Sequence, residues 1–439
     1  MKIISSVDFD AYWKTQVIKD SDEDADNTVK EIIAAVRKDG DTAVRKYASL
    51  FDKSSPEKLE VDFKEALRAL DELQKTDPML LDALETSCLR IKRFSEKQKE
   101  QFYDFEYEMD TGLVTGQRVI PIERAAVYIP GGRYPLFSSV LMCLIPAFCA
   151  GVQEVILSSP PAQNGLPDKR TLGAAALAAK TTGCQNLRIF AMGGAQAIAA
   201  LALGTQTVPR ADIIAGPGNK YVASAKRILF GEVGIDFIAG PTDVLIINDG
   251  NTDIAAADML GQAEHDVDAR ARALVPTMEI AEKIKLDINR RLKSLEETNP
   301  VCAKNARISL DTGGLIVVYK NKEDAVRIAN IIAPEHLELQ IKDSESWIPD
   351  LKNYGSLFIG VLAAEALGDY SAGINHTLPT QTSARFTGGL SVRHFLKTVT
   401  TLRCTQGEGF EKARNAAEIM ARAEGLECHA LSAACRKNK

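Results

Sequence analysis

The stretch LRIFAMGGAQAIAALAL, residues 187–203, decides the fold. It begins with an apolar run, Leu187–Ala191, that is short enough for one strand buried on both faces. Gly193 and Gly194 then allow a tight turn, because glycine has no Cβ. Alanine-rich sequence continues to residue 203 and favours a helix. The stretch therefore predicts one strand–turn–helix unit of a parallel sheet.

The same alternation extends in both directions from this unit. Apolar runs predict further strands at 125–129, 154–157, 212–215, 244–247, 271–275, 315–319, 337–341 and 356–359. Helices are predicted at 138–150, 170–181, 195–203, 219–229, 252–265 and 322–332, with a charged helix ending near 297. Before residue 100, apolar residues at helical spacing, such as Val29, Ile32 and Val36, are typical of amphipathic helices. We predict the α/β class, with two domains built on parallel sheets and a helical N-terminal segment.

Changes in this pattern predict the domain boundaries. We expect residues 123–248 to form one α/β domain. Residues 1–122 and 249–380 are expected to form the other, which includes the N-terminal helices. Residues 381–439, with a terminal helix at 411–423, are predicted to be an appended arm.

The composition excludes several kinds of partner. The 439 residues include 59 acidic and 53 basic side chains, for a net charge of -6, which argues against binding to nucleic acid or an anionic membrane. No apolar run approaches the roughly 20 residues of a membrane span, and the N-terminus lacks the apolar core of a signal peptide. The eight cysteines form no Cys-x-x-Cys pair. Buried reduced thiols in a cytoplasmic protein are therefore expected.

Histidine is scarce, with five in the chain, and the neighbours of two suggest chemistry. Gln262 and His265 lie three residues apart at the end of a predicted helix, so they share a face and could hold one metal ion. Glutamine is an uncommon zinc ligand, and a polar helix end is the alternative. Glu335 and His336 lie between a predicted helix and a strand. Adjacent side chains point in different directions, so this pair could serve two proton transfers; a capped loop is the alternative.

Two other segments carry ligand-type residues. Asp369 and His376 lie in a glycine-containing loop after the last predicted strand, where Asp369 could complete a metal site. Glu424 and His429 lie near the C-terminus. Such residues are usually solvated, and a role for them needs the tail to be anchored, for example on another subunit.

Glycine-rich turns follow three predicted strands. They contain Gly193-Gly194-Ala195-Gln196, Gly216-Pro217-Gly218-Asn219 and Tyr128-Ile129-Pro130-Gly131-Gly132. The first two open helices, whose N-termini could bind an anionic or polar ligand. The chain has no Gly-x-Gly-x-x-Gly fingerprint, so the turns alone do not identify a dinucleotide site. Tight strand-to-helix turns without a ligand are the alternative.

Taken together, these segments resemble the histidinol dehydrogenase family from about residue 25 to 429. The matching strings are YIPGG (128–132), GGAQAIAALA (193–202), GPGN (216–219), AGP (239–241), QAEH (262–265), PEHL (334–337), GDY (368–370), NHTLPT (375–380) and EGL (424–426) with His429. The resemblance implies two incomplete Rossmann-like domains and a C-terminal arm that makes a homodimer. It also implies one Zn²⁺ per active site, and NAD as the second cofactor.

The resemblance further implies a role for each matching residue. Zinc would be bound by Gln262, His265, Asp369 and, from the partner subunit, His429. Glu335 and His336 would be the acid/base pair. The substrate would contact Thr242, His376 and Glu424, besides His336 and the zinc ligands. NAD would contact Tyr128, Gln196 and Asn219.

The implied activity is the last two steps of histidine biosynthesis. L-histidinol would be oxidised by two NAD, through the aldehyde, to L-histidine. His336 would be the general base, Glu335 would activate water, and zinc would orient the substrate.

The chain departs from the family pattern in three places. The family usually has Ser-Glu after Ala-Gly-Pro, where this chain has Thr242 and Asp243. Residues 131–136 and 387–389 also look more like dehydrogenase relatives that oxidise other primary alcohols, including sulfonated diols. In the first of these segments, Arg133 could meet an anionic substrate group, and a solvated loop residue is the alternative. Two other functions therefore stay open. One is a paralogous zinc/NAD dehydrogenase for another small primary alcohol, such as a sulfopropanediol; the other is a non-catalytic α/β binding module.

Overall fold

The computed structural model describes residues 1–16, 23–52, 54, 56–131, 135–238 and 240–437. The strands are β1 Lys2–Ser5, β2 Glu60–Val61, β3 Phe105–Asp110, β4 Leu113–Pro121, β5 Arg124–Tyr128, β6 Glu154–Ser159, β7 Leu187–Ala191, β8 Ile213–Ala215, β9 Gly234–Ile235, β10 Asp243–Asn248, β11 Arg270–Val275, β12 Leu315–Val318, β13 His336–Gln340, β14 Ser356–Ile359 and β15 Leu396–Cys404. The helices are α1 Ser6–Thr15, α2 Glu23–Asp39, α3 Asp41–Phe51, α4 Phe63–Thr76, α5 Pro78–Lys99, α6 Phe137–Ala150, α7 Lys169–Thr182, α8 Gly194–Leu203, α9 Lys220–Leu229, α10 Thr252–His265, α11 Met278–Thr298, α12 Pro300–Gly313, α13 Lys322–Ile332, α14 Glu365–Tyr370, α15 Glu408–Ala423 and α16 Glu427–Ala434.

Two six-stranded sheets form the centre of the molecule. The first sheet has the order β2-β7-β6-β5-β8-β9 and is parallel except for β2. The second sheet has the order β1-β12-β11-β10-β13-β14 and is parallel throughout. Their central strands, such as β10, are buried along their whole length because helices cover both faces. The predicted α/β class with parallel sheets is confirmed.

The N-terminal helices pack differently from the predicted grouping. Helices α2 and α3 pack on α8 and α9, and α4 and α5 pack on α6 and α7, so all four cover the first sheet. In the N-terminal segment, β1 and α1 join the second sheet instead. The apolar face of an amphipathic helix shows that it is buried, not which sheet buries it. The boundaries at 122, 248 and 380 stay predictions.

A third, antiparallel sheet was missed by sequence reasoning. Strand β15, inside the predicted arm, pairs with β4 along its length, and β4 pairs with β3. The side chains of β3 are all exposed, so this sheet has no continuous apolar run to reveal it. Helices α12 and α16 were also missed. The pairing of β15 with β4 ties the arm to residues 113–121 rather than to either large sheet.

None of the described helices combines the length and the apolar character needed to cross a membrane. All eight cysteines lie in the described ranges and are free thiols, although Cys404, Cys428 and Cys435 are exposed rather than buried as expected.

A buried ion pair fixes the turn after β8. Lys226 donates to Asp236 and, at 3.1 Å, to the Gly216 carbonyl, while the Gly216 N–H donates to Asp236 at 2.8 Å. Gly216 has φ 116°, and a Cβ there would lie 2.2 Å from the Tyr128 carbonyl oxygen. Only glycine fits this turn, and the pair holds the loop that leads to Asn219.

Replacing Lys226 by methionine should lower the free energy of unfolding by about 3–5 kcal/mol, because it leaves the Asp236 charge buried without its partner. Urea unfolding followed by circular dichroism measures the change. Arg37→Met, which removes an exposed pair with Glu232, is the control and should cost less than about 1 kcal/mol. Equal losses in the two variants would contradict the assigned role of the buried pair.

Candidate active site

The predicted acid/base residues lie at the N-terminal ends of the strands of the second sheet. His336 is the first residue of β13, Glu335 precedes it, and Thr242 precedes the neighbouring β10. This differs from the usual position of ligands in open parallel sheets, at the carboxyl ends of the strands. The first sheet obeys that rule, since Tyr128 ends β5 and Gly216 follows β8.

A cavity of about 230 Å³ lies where these two edges meet. Six residues singled out from the sequence line it: Thr242, His265, Glu335, His336, Asp369 and His376. Ser139, Gly218 and Phe237 contribute the wall from the side of the first sheet. Residues that are far apart in the chain thus converge on one small chamber.

Glu335 is held by a reciprocal pair of hydrogen bonds with Asp243. The Glu335 N–H donates to Asp243 Oδ1 at 3.0 Å, and the Asp243 N–H donates to Glu335 Oε2 at 3.1 Å. Arg272 donates to the other Asp243 oxygen at 2.8 Å, and the Thr242 hydroxyl donates to Glu335 Oε2 at 2.5 Å. Burial raises the pKa of Glu335 to about 7, against the opposing effect of the nearby His336. A carboxyl group with such a pKa can give or take a proton near neutral pH.

His336 is buried among carboxylates but has no hydrogen-bond partner in the described part of the chain. Its Nδ1 lies 3.6 Å from Glu365 Oε1 and 3.9 Å from Glu335 Oε2, and its Nε2 lies 3.6 Å from Asp369 Oδ1. Burial opposes a charge on the imidazole, but the three carboxylates outweigh it and raise the pKa of His336. Neither ring nitrogen is therefore committed to a hydrogen bond with another described group.

A candidate metal site lies beside His336. Ligand atoms of His265, Glu365 and Asp369 all lie within 4.8 Å of one another. Gln262 is buried next to them, and its Nε2 donates to the Thr242 hydroxyl at 2.9 Å, so that its amide oxygen faces Glu365. Asp369 Oδ1 is buried without a hydrogen-bond partner in the described chain. Imidazole, carboxylate and amide groups with an orphaned oxygen fit a divalent cation such as zinc.

Glu365 is the residue that sequence reasoning missed. It lies four residues before Asp369 on α14, so both side chains fall on one helical face. That spacing is the signal that could have found it. Burial raises the pKa of Glu365 to about 8, against the opposing effect of His336.

His376 is held in one tautomer. Its Nδ1 lies 2.8 Å from the Asp369 carbonyl, which can only accept, so Nδ1 carries the proton. Its Nε2 accepts from the Ser139 hydroxyl at 2.9 Å. Burial lowers the pKa of His376, which favours the neutral ring.

A second cavity has a volume of about 430 Å³. It is lined by Tyr128, Gln196 and Asn219, the three predicted NAD contacts, as well as by Pro160 and Tyr221. Asn219 also caps α9, because its Oδ1 accepts from the N–H of Tyr221 at 3.0 Å. The two cavities share one loop: Gly218 lines the first and Asn219 the second. A dinucleotide in the larger cavity would therefore contact the same loop that borders the cavity of His336.

A sequence profile of histidinol dehydrogenase matches residues 16–437. The chain belongs to the histidinol dehydrogenase family. It is 43% identical over 421 residues to a histidinol dehydrogenase of Aquifex aeolicus, covering 95% of this chain and 93% of the relative. A histidinol dehydrogenase of Thermus thermophilus is 42% identical, with 95% of each covered. The crystal structure of histidinol dehydrogenase from Elizabethkingia anophelis superposes with a TM-score of 0.88 at 32% identity, over 99% of this chain and 97% of that one.

In this histidinol dehydrogenase family member, two predicted site residues lie apart from the rest. Glu424 and His429 are exposed, at the end of α15 and on α16, and line neither cavity. A contribution to this chain's own cavity is not seen, whereas the predicted contribution to a partner's cavity stays open. Arg133, predicted to meet an anionic substrate, lies outside the described residues.

Proposed function

We propose that this chain oxidises L-histidinol to L-histidine with two NAD, through the aldehyde, as the last steps of histidine biosynthesis. The observation that carries the proposal is a pair of cavities bordered by one loop, which contains Gly218 and Asn219. One is lined by an acid/base pair and a candidate metal site, and the other by the three predicted NAD contacts. The high identity to named histidinol dehydrogenases supports the choice of substrate.

The chain's own residues supply the proton transfers. His336, with both nitrogens free of hydrogen bonds in the described chain, takes the proton of the substrate hydroxyl in the first oxidation. Glu335, fixed by Thr242 and Asp243, takes a proton from the water that adds to the aldehyde. His336 releases its first proton to water before the second oxidation and then takes the hydroxyl proton of the hydrate. NAD, when bound, accepts the hydride in each oxidation.

Zinc is part of the proposal because the donor set fits it. His265 and Asp369 would hold the ion together with the amide oxygen of Gln262, and Glu365 lies close enough to support it. When bound, zinc would hold the amine and imidazole nitrogens of the substrate and so orient the alcohol carbon. A cation here would also offset the three carboxylates that raise the pKa of His336, which would suit its role as a base.

We also propose a homodimer with shared active sites. The arm exposes large apolar residues that a monomer leaves in water: Ile419, Met420, Leu426 and Leu431. They flank His429, which could then reach the cavity of the partner subunit as its fourth zinc ligand, with Glu424 contacting the substrate there. A cytoplasmic location belongs to the same proposal, in keeping with NAD-dependent biosynthesis.

The test is the amount of NADH formed per histidinol by the purified, zinc-loaded protein. We expect two NADH per L-histidinol, and loss of this activity after chelation with recovery on adding Zn²⁺. One NADH per histidinol would contradict the double oxidation. No NADH from histidinol, but turnover of another small primary alcohol such as a sulfopropanediol, would favour the paralogous dehydrogenase. No turnover of any alcohol would favour a binding module.

A further inference from the structure

Asp52 places a carboxylate in the larger cavity. It directly follows α3 as its C-cap, where its N–H donates to the Ala48 carbonyl, and its side chain lines the cavity beside Tyr128 and Gln196. Among the described lining residues it is the only one that carries a charge. Burial raises the pKa of Asp52 to about 6, so the group stays mostly ionised at pH 7.

The backbone N–H groups at the N-terminus of α8 already donate to side chains of the protein. The Gly193 N–H donates to the Asp52 carboxylate, and the Gly194 N–H donates to the Tyr128 hydroxyl at 3.0 Å. Gln196 Nε2 approaches Asp52 Oδ2 at 3.4 Å. A Cβ at Gly193 would lie 2.6 Å from Asp52 Oδ1, so the turn is shaped around this carboxylate. In Rossmann folds the pyrophosphate binds such a helix end, but here an anion would meet Asp52 and find these donors engaged.

A carboxylate in a dinucleotide cavity selects for donor groups and against phosphate. Ribose hydroxyls are donors, and two neighbouring hydroxyls suit two carboxylate oxygens. A 2′-phosphate at the same place would be repelled, and the described lining holds no arginine or lysine to receive it. We propose that Asp52 binds a ribose diol of the dinucleotide and thereby selects NAD over NADP. This inference rests on the proposed NAD-dependent function.

The experiment compares NADH and NADPH binding to Asp52→Asn and the unaltered protein by fluorescence titration, without histidinol. Asparagine keeps the size and one acceptor oxygen, so the α8 contact can persist while the charge is lost. We expect the Kd for NADH to rise about tenfold and the Kd for NADPH not to rise, so that the preference for NADH shrinks at least about tenfold. Asp71→Asn, an exposed carboxylate of α4 outside the cavity, is the charge-matched control and should leave both Kd values unchanged.

The outcomes separate this inference from the proposed function. An unchanged NADH/NADPH preference in Asp52→Asn, with only a lower Tm, would overturn the inference and leave Asp52 as a support for α8. If the preference shifts as expected but the protein fails to oxidise histidinol, the inference stands and only the proposed substrate falls. The ratio of kcat/KM for NAD and NADP then provides a second measurement whenever an alcohol substrate is turned over.

Discussion

Replacing His336 by asparagine is expected to lower kcat for histidinol oxidation by about 10²–10⁴-fold, since it removes the proposed general base. The fold should survive, because no described group is hydrogen-bonded to the His336 ring. Steady-state kinetics and a thermal melt of the same preparation separate the two effects. KM should change less than kcat, because zinc rather than His336 is proposed to hold the substrate.

A second histidine provides the matched control for this variant. His394 is half-buried, and its Nδ1 contacts the backbone of Ser391 outside both cavities. His394→Asn should therefore affect kcat less than threefold, as judged against the usual size of acid/base effects. A His336→Asn enzyme with nearly normal kcat would rule out its role as the base and would direct attention to Glu335.

Mixed dimers are expected to recover activity from two inactive proteins. His336→Asn damages a chain's own cavity, whereas His429→Asn is proposed to damage the cavity of its partner. Each homodimer should then lose nearly all activity. In a random mixture, half of the dimers are mixed and each contains one intact site, so co-expression should restore about a quarter of the normal activity.

The chain offers a control for this complementation. His265 and His336 line the same cavity of one chain. A mixed dimer of His265→Asn and His336→Asn chains therefore has no intact site, and its activity should stay near zero. If the His336→Asn and His429→Asn mixture also stays inactive, while sedimentation shows dimers, His429 does not reach across the interface.

The strand–helix units were predictable because their signals are local. The predicted helix at 252–265 has the bounds of α10, and the predicted strand at 187–191 has those of β7. A strand buried on both faces must be apolar throughout, and a glycine turn must follow where the chain reverses closely. These requirements act within about 20 residues, so they are visible in sequence.

The sequence allowed us to predict which residues form the site, but not how they are arranged in space. Glu335, His336, Asp369 and His265 were singled out by residue type and by the family resemblance, and the structure brings them to one cavity. That cavity lies at the N-terminal ends of the strands of the second sheet. Its position did not follow from the general rule that ligands bind at the C-terminal ends of parallel strands. Glu365 was missed because one carboxylate on a short helix looks like any solvated side chain.

The sequence by itself determined the α/β class, the order of the strand–helix units and the family. Only the tertiary structure decided that α2–α5 cover the first sheet, that β15 pairs with β4, and that Asp52 enters the second cavity. The physical reason is the range of the interactions. Turn geometry and strand burial restrict each residue through its near neighbours in the chain. The surroundings of Asp52, in contrast, are set by residues such as Gly193, which is far away in sequence and adjacent in space.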